Sequence, residues 1–153
     1  MPDYRRNRVP GGTYFFTVNL RDRRSDLLVA EIEALRSSVQ ATRARHAFHI
    51  DAWVVLPAHL HCLWTLPTGD VGFPCRWQMI KVLFSRSVPR AEQRRASLVR
   101  KREAGIWQRR YWEHTIRDDQ DHAVHVDDIH FNPVKYGLAA HPPTGRSRAS
   151  PGA

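Results

Sequence analysis

The alternation of apolar and polar positions marks four extended segments and three helical ones. The run at 13–20 is rich in aromatic and β-branched residues and predicts a strand. It places Tyr14, Phe16 and Val18 on one face and Thr13, Phe15, Thr17 and Asn19 on the other. Leu28, Ile32, Leu35 and Val39 recur at spacings of three and four, which predicts one helix over 27–45 with Ser25 or Asp26 as its cap. Residues 48–56 and 59–66 read as two strands joined only by Pro57-Ala58, so they are expected to pair as an antiparallel hairpin. After a loop at 67–72, a second helix is predicted from Phe73 or Pro74 to about Ser87. Residues 89–105 are the least regular and most basic stretch, expected to form a mobile excursion that touches nucleic acid or else a solvated loop or helix end, and 106–116 predict a fourth strand or a strand pair.

The last helix is predicted over 118–131, opened by Asp118-Asp119, with Val124, Asp128 and Phe131 or Asn132 along one face. Val126, Ile129 and part of His130 share another face, and Pro133 is expected to bend or end the helix near Asn132. The order strand, helix, strand, strand, helix, strand, helix predicts an α+β domain: a ferredoxin-like antiparallel sheet with its helices on one face. That domain is expected to span 1–140, with 141–153 as a disordered basic tail of low complexity.

Composition adds a partner class. The chain of 153 residues carries 24 Lys+Arg against 15 Asp+Glu, a net charge of +9, and arginine supplies nearly all of the excess. Guanidinium forks match phosphate oxygens in pairs, so nucleic acid is the expected partner. A GC-rich genome would also raise the arginine content. A membrane partner is not expected: there is no lipidation signal, no basic amphipathic helix and no run near ~18 apolar residues. Cys62 and Cys75 form no framework and read as reduced packing residues. No secretion signal is visible at the N-terminus, so a cytoplasmic location is expected.

Basic residues flank the first strand, with Arg5, Arg6 and Arg8 before it and Arg21, Arg23 and Arg24 after it. They are candidates for gripping a nucleic-acid backbone, although solvated loops share this composition. Arg109 and Arg110 lie among Trp107, Tyr111 and Trp112, an interleaving that suits phosphates and stacked bases. Either tryptophan could equally belong to the core.

The most specific candidate chemistry lies in the third strand. His59 and His61 are separated by one residue, so in a strand both point to the same face, with Leu60, Cys62 and Trp64 on the other. Two adjacent imidazoles can bind a divalent ion, although a pair of partly exposed strand histidines would show the same spacing.

Four motifs in register carry a family resemblance: Gly11-Gly12-Thr13-Tyr14-Phe15-Phe16-Thr17-Val18-Asn19-Leu20; His59-Leu60-His61 after Leu56-Pro57; Trp107-Gln108 through Arg110-Tyr111-Trp112-Glu113-His114; and Ile129-His130-Phe131-Asn132-Pro133-Val134-Lys135 with Gly137-Leu138. Over roughly residues 3 to 139 the chain resembles the REP-associated tyrosine transposases, bacterial members of the HUH single-strand nuclease superfamily. The resemblance implies a transposase that binds hairpins of repetitive extragenic palindromes in single-stranded DNA, then cleaves and rejoins the strand through a 5′-phosphotyrosine. It implies Mg²⁺ or Mn²⁺ held by His59, His61 and Asn132, and a protein acting as a monomer or weak dimer in the bacterial cytoplasm, associated with the nucleoid. The family's nucleophilic tyrosine falls at Asp128, and the tail lacks the usual Trp-Pro segment. A carboxylate there would give a hydrolysable acyl phosphate, so Asp128 reads better as a further metal ligand. Two readings follow: an enzyme of the family's type, or an inactive or repurposed hairpin-binding protein.

Overall fold

The computed structural model describes residues 9–89 and 105–135, with the last four as backbone only. The elements are β1 (Thr13–Asn19), α1 (Leu27–Ala30), α2 (Ile32–Arg45), β2 (His49–Val55), β3 (His59–Thr65), α3 (Phe73–Ser87), β4 (Trp112–Thr115) and α4 (Asp119–Lys135). The four strands form one antiparallel sheet in the order β2-β3-β1-β4. This is the expected ferredoxin-like order, with the two histidines on a central strand. The hairpin of β2 and β3 forms as the short Pro57-Ala58 link requires, closed by Leu56 N–H donating to His59 O at 2.8 Å.

One face of the sheet carries the main core. Tyr14, Phe16, Val18, Leu60, Cys62 and Trp64 meet Leu28 and Leu35 from the first helices, and Phe73, Trp77, Ile80 and Phe84 from α3. Trp64 and Trp77 stack at 4.5 Å, and Phe16 meets both edge-on at 4.8 and 5.5 Å. Such pairs add about 0.5–1.5 kcal/mol each beyond the area they bury. Trp107 is also buried here, where Leu20 and Trp107 form a single bridge, so the fourth extended segment narrows to Trp112–Thr115.

Four expectations are corrected. The helices occupy both faces, because α4 packs on the face opposite α2 and α3: Ile129 joins Phe15, Ala52, Val54 and Leu63 in a second core. The predicted helix over 27–45 is two helices parted at Glu31, whose backbone φ of −112° and ψ of 42° leave the helical region. Pro133 does not end α4 near Asn132, since the helix is described through Lys135; the ring's missing N–H removes one ladder bond, and the other bonds of the helix remain. Cys75 is exposed rather than packed, whereas Cys62 is buried.

Of the two faces of α4, the one through Val126 and Ile129 is the buried one. Val124, Asp128 and Phe131 are exposed, while Asp121 and Ile129 are buried and Val126 is partly covered. A bulge in β2 explains how this helix is seated. The register slips between Ile50 and Ala52, which turns Asp51 toward α4. The Asp51 carboxylate accepts from Thr65 Oγ1 at 3.0 Å and from His122 Nε2 of α4 at 2.8 Å.

Candidate functional site

The second face of the sheet gathers the polar chemistry. Pairing sets Thr17 opposite His61 on β3 and opposite Trp112 on β4, so these three form one row across the sheet. The neighbouring rows hold Asn19 opposite His59, and Leu63, Phe15 and His114. As strand alternation requires, His59 and His61 share this face, their rings 5.1 Å apart between centroids and nearly perpendicular.

Both imidazoles are conditioned by their surroundings. Burial lowers the His59 pKa, and the positive charge of Arg23 pushes it the same way. His59 is therefore held in the neutral form, the one that can donate a lone pair to a cation. His61 lies 5.6 Å from Phe15, nearly parallel, and its Nδ1 is 2.9 Å from Thr17 Oγ1. A ring fixed through Nδ1 presents Nε2 as its ligand nitrogen, which is how an outer hydrogen bond orients a metal-binding histidine. The pair therefore suits a divalent ion. The side chain of Asn132 lies outside the described residues, and its backbone is in the turn of α4 after Ile129.

Asp128 lies on α4 one turn before residue 132, and its side chain is exposed. The described tyrosines do not offer a replacement nucleophile. Tyr14 and Tyr111 are both buried in the main core, across the sheet from the histidines. Tyr136 lies outside the described residues, as do Arg5, Arg6, Arg8, residues 90–104 and the 141–153 tail. Among the other candidate arginines, Arg23, Arg24, Arg109 and Arg110 are exposed. Arg21, partly buried, also serves the fold. Its guanidinium donates to the carbonyls of Gly105 and Trp107 at 3.4 and 3.1 Å, tying the end of β1 to the segment that leads into β4.

A second cluster joins His114 of the third motif to two helix residues that the sequence does not single out. His114, Asp121 and His125 bring their ligand atoms within 4.8 Å of one another beside Phe15. Asp121 Oδ2 accepts from the Arg117 backbone N–H at 2.9 Å, from His114 Nε2 at 2.9 Å and from Arg117 Nε at 3.3 Å. These bonds, the Arg117 N–H first, hold its pKa far below the ordinary carboxylate range. His125 Nδ1 donates to the Asp121 carbonyl at 2.9 Å. The three could take a divalent ion, but as they stand the carboxylate is committed to donors, and the cluster fixes β4 against the start of α4. Asp121 and His125 stand four apart in the sequence, and that helical spacing is the one signal of the cluster a sequence offers.

A histidine pair on the central strand of a ferredoxin-like sheet, on the face where the last helix packs, is the arrangement that the resemblance to the HUH transposases leads one to expect. No family model matches the chain, but individual relatives do. A REP-associated tyrosine transposase of Escherichia coli K12 is 46% identical over 137 residues, covering 90% of this chain and 75% of that protein. A Haemophilus influenzae relative is 43% identical over 138 residues, covering 90% and 78%. Among solved structures, a REP-associated tyrosine transposase bound to a REP hairpin matches with a TM-score of 0.78 at 45% identity, over 91% of this chain and 76% of that one. The chain belongs to the REP-associated tyrosine transposase family.

Proposed function

We propose that this protein binds hairpins formed by repetitive extragenic palindromes in single-stranded DNA, and that His59, His61 and Asn132 hold Mg²⁺ or Mn²⁺ at the scissile phosphate. The observation that carries this reading is the pair of imidazoles on one sheet face, with His59 kept neutral by burial and His61 oriented by Thr17. The relative solved with a REP hairpin supports the DNA partner, and the net charge of +9 supports a polyanion. When bound, the ion supplies Lewis-acid polarisation of a phosphate oxygen. Arg23, exposed and close enough to His59 to lower its pKa, is placed to meet the same phosphate backbone. In keeping with its bacterial relatives, we place the protein in the bacterial cytoplasm.

Asp128 favours a second reading for the chemical step: hairpin binding without a lasting covalent intermediate. An aspartyl phosphate is hydrolysed where a phosphotyrosine waits for the returning 3′-hydroxyl.

Fluorescence anisotropy with a labelled palindromic hairpin and a scrambled strand of equal length tests the binding. The hairpin is expected to bind more tightly by at least about tenfold, or ~1.4 kcal/mol. Equal affinities would remove the hairpin reading. Incubating the hairpin with Mn²⁺ and resolving the products on a denaturing gel tests nicking, which His59→Ala and His61→Ala are expected to abolish.

A further inference from the structure

We propose that Trp112 is a stacking platform for an unpaired base of the bound strand, set beside the histidine pair. This rests on the reading of the protein as a binder of hairpin-forming single-stranded DNA.

The chain has five tryptophans, and four of them, Trp53, Trp64, Trp77 and Trp107, are buried. Trp112 alone is open to solvent, at 55% exposure. A single exposed apolar side chain is ordinary on a protein surface, so exposure by itself decides nothing. Its position does. Trp112 stands on the edge strand β4, on the histidine face, in the row that runs through Thr17 to His61. With strands ~4.8 Å apart, two strand spacings put its backbone ~10 Å from that of His61. A strand whose phosphate meets the histidines therefore passes within a base's reach of the indole.

The ring is also held in place. It is parallel to His114 within 4° at 6.0 Å, and Phe15 meets it edge-on at 6.1 Å. His114 is in turn anchored by its bond to the buried Asp121, which the Arg117 N–H secures. The second cluster thus gains a role, since it fixes the orientation of an exposed indole. A rigid aromatic surface loses little entropy on binding, and every base offers it a π-face. The surrounding chemistry suits nucleic acid: Arg109 and Arg110, both exposed, precede Trp112 by three and two residues.

The test uses two hairpins with the same stem and loop, one blunt and one with a single-stranded extension. Base stacking of the usual strength predicts that Trp112→Ala weakens binding of the extended hairpin by about 5- to 150-fold. The blunt hairpin should bind as before, and Trp112→Phe should keep most of the affinity. Because the other four indoles are buried, the extended hairpin should quench the emission of the unmodified protein, and Trp112→Phe should remove that quenching. Equal losses on both hairpins, or none on either, overturn the platform while leaving hairpin binding intact. An unmodified protein that prefers neither hairpin to a scrambled strand overturns the hairpin reading instead, and the platform with it.

Discussion

Asp128 is the residue on which the chemistry turns. It is exposed, it lies one helical turn before residue 132, and Tyr14 and Tyr111 are sealed into the core on the far side of the sheet. Unmodified protein incubated with hairpin DNA and Mn²⁺ should therefore show no slow-migrating covalent adduct on a denaturing gel. Asp128→Tyr should produce one, since it sets a phenol on the helix turn that precedes Asn132. The adduct should require Mg²⁺ or Mn²⁺ and disappear with His59→Ala. Placement limits the yield, because ~1 Å of error in a reacting group costs ~100-fold in rate. An adduct formed by the unmodified chain and lost in Tyr136→Phe would move the nucleophile beyond α4. Thr17 makes a second case at this scale, because its Oγ1 holds His61 Nδ1. Thr17→Val keeps the β-branched shape and removes that partner. It should weaken Mn²⁺ binding, measured by titration calorimetry without DNA, by ~10- to 100-fold. Unchanged affinity would assign the Thr17 contact to sheet packing alone.

At the scale of elements, α2 and α3 are tied together by one buried cation. Arg76 of α3 donates to both carboxylate oxygens of Asp70 at 3.0 and 2.9 Å, to the carbonyls of His46 and Ala47 just beyond α2, and to Gly72 O. Arg76→Ala leaves the carbonyls of His46 and Ala47 without this donor and should cost about 1–3 kcal/mol in urea unfolding. The Arg76 bonds first, and then the Gly72 N–H that donates to Asp70 Oδ1 at 2.6 Å, lower the pKa of Asp70. A carboxylate with a depressed folded pKa stabilises the protein above its unfolded value, near ~3.9, and that contribution fades as pH falls through the lower folded value. The unmodified protein should therefore lose stability on acidification below pH ~4, and Arg76→Ala should show a shallower loss there. Elements governed by local chemistry could be read from the sequence: the hairpin from its short link, β1 from its alternation, and the shared face of His59 and His61 from a period of two. The seating of α4 could not. Its contacts depend on the bulge that turns Asp51 toward His122, which lies far along the chain, and on His114 of β4 meeting Asp121 and His125 of α4; neither sheet-to-helix pairing is marked by a hydrophobic period. The exposed face through Val124, Asp128 and Phe131 accordingly shows a helical period as good as the buried one. Charge alone likewise gives Arg21 the same reading as its neighbours, although its side chain is committed to the carbonyls of Gly105 and Trp107.

At the scale of the whole molecule, an excess of nine positive charges makes affinity for DNA a matter of counterions displaced from phosphate. Hairpin binding should weaken steeply with salt, and the slope of log K against log salt counts the contacts. Each phosphate neutralised contributes about 0.9 to that slope on duplex and about 0.7 on a single strand. Structure divides the arginines after β1 into two kinds. Arg23 and Arg24 are exposed, and replacing either with alanine should lower the slope by about one contact and leave thermal stability nearly unchanged. Arg21 holds the segment before β4, so Arg21→Ala should lower the melting temperature first and affect binding through the fold. Arg5, Arg6 and Arg8 precede the described residues, and the charge pattern groups them with Arg23 and Arg24. Removing all three should flatten the slope by up to about three contacts if the N-terminal segment grips the stem. A slope that survives the loss of Arg5, Arg6, Arg8, Arg23 and Arg24 together would mean that the DNA lies elsewhere on the protein. The histidine face would then have to be approached from the side of Arg109 and Arg110.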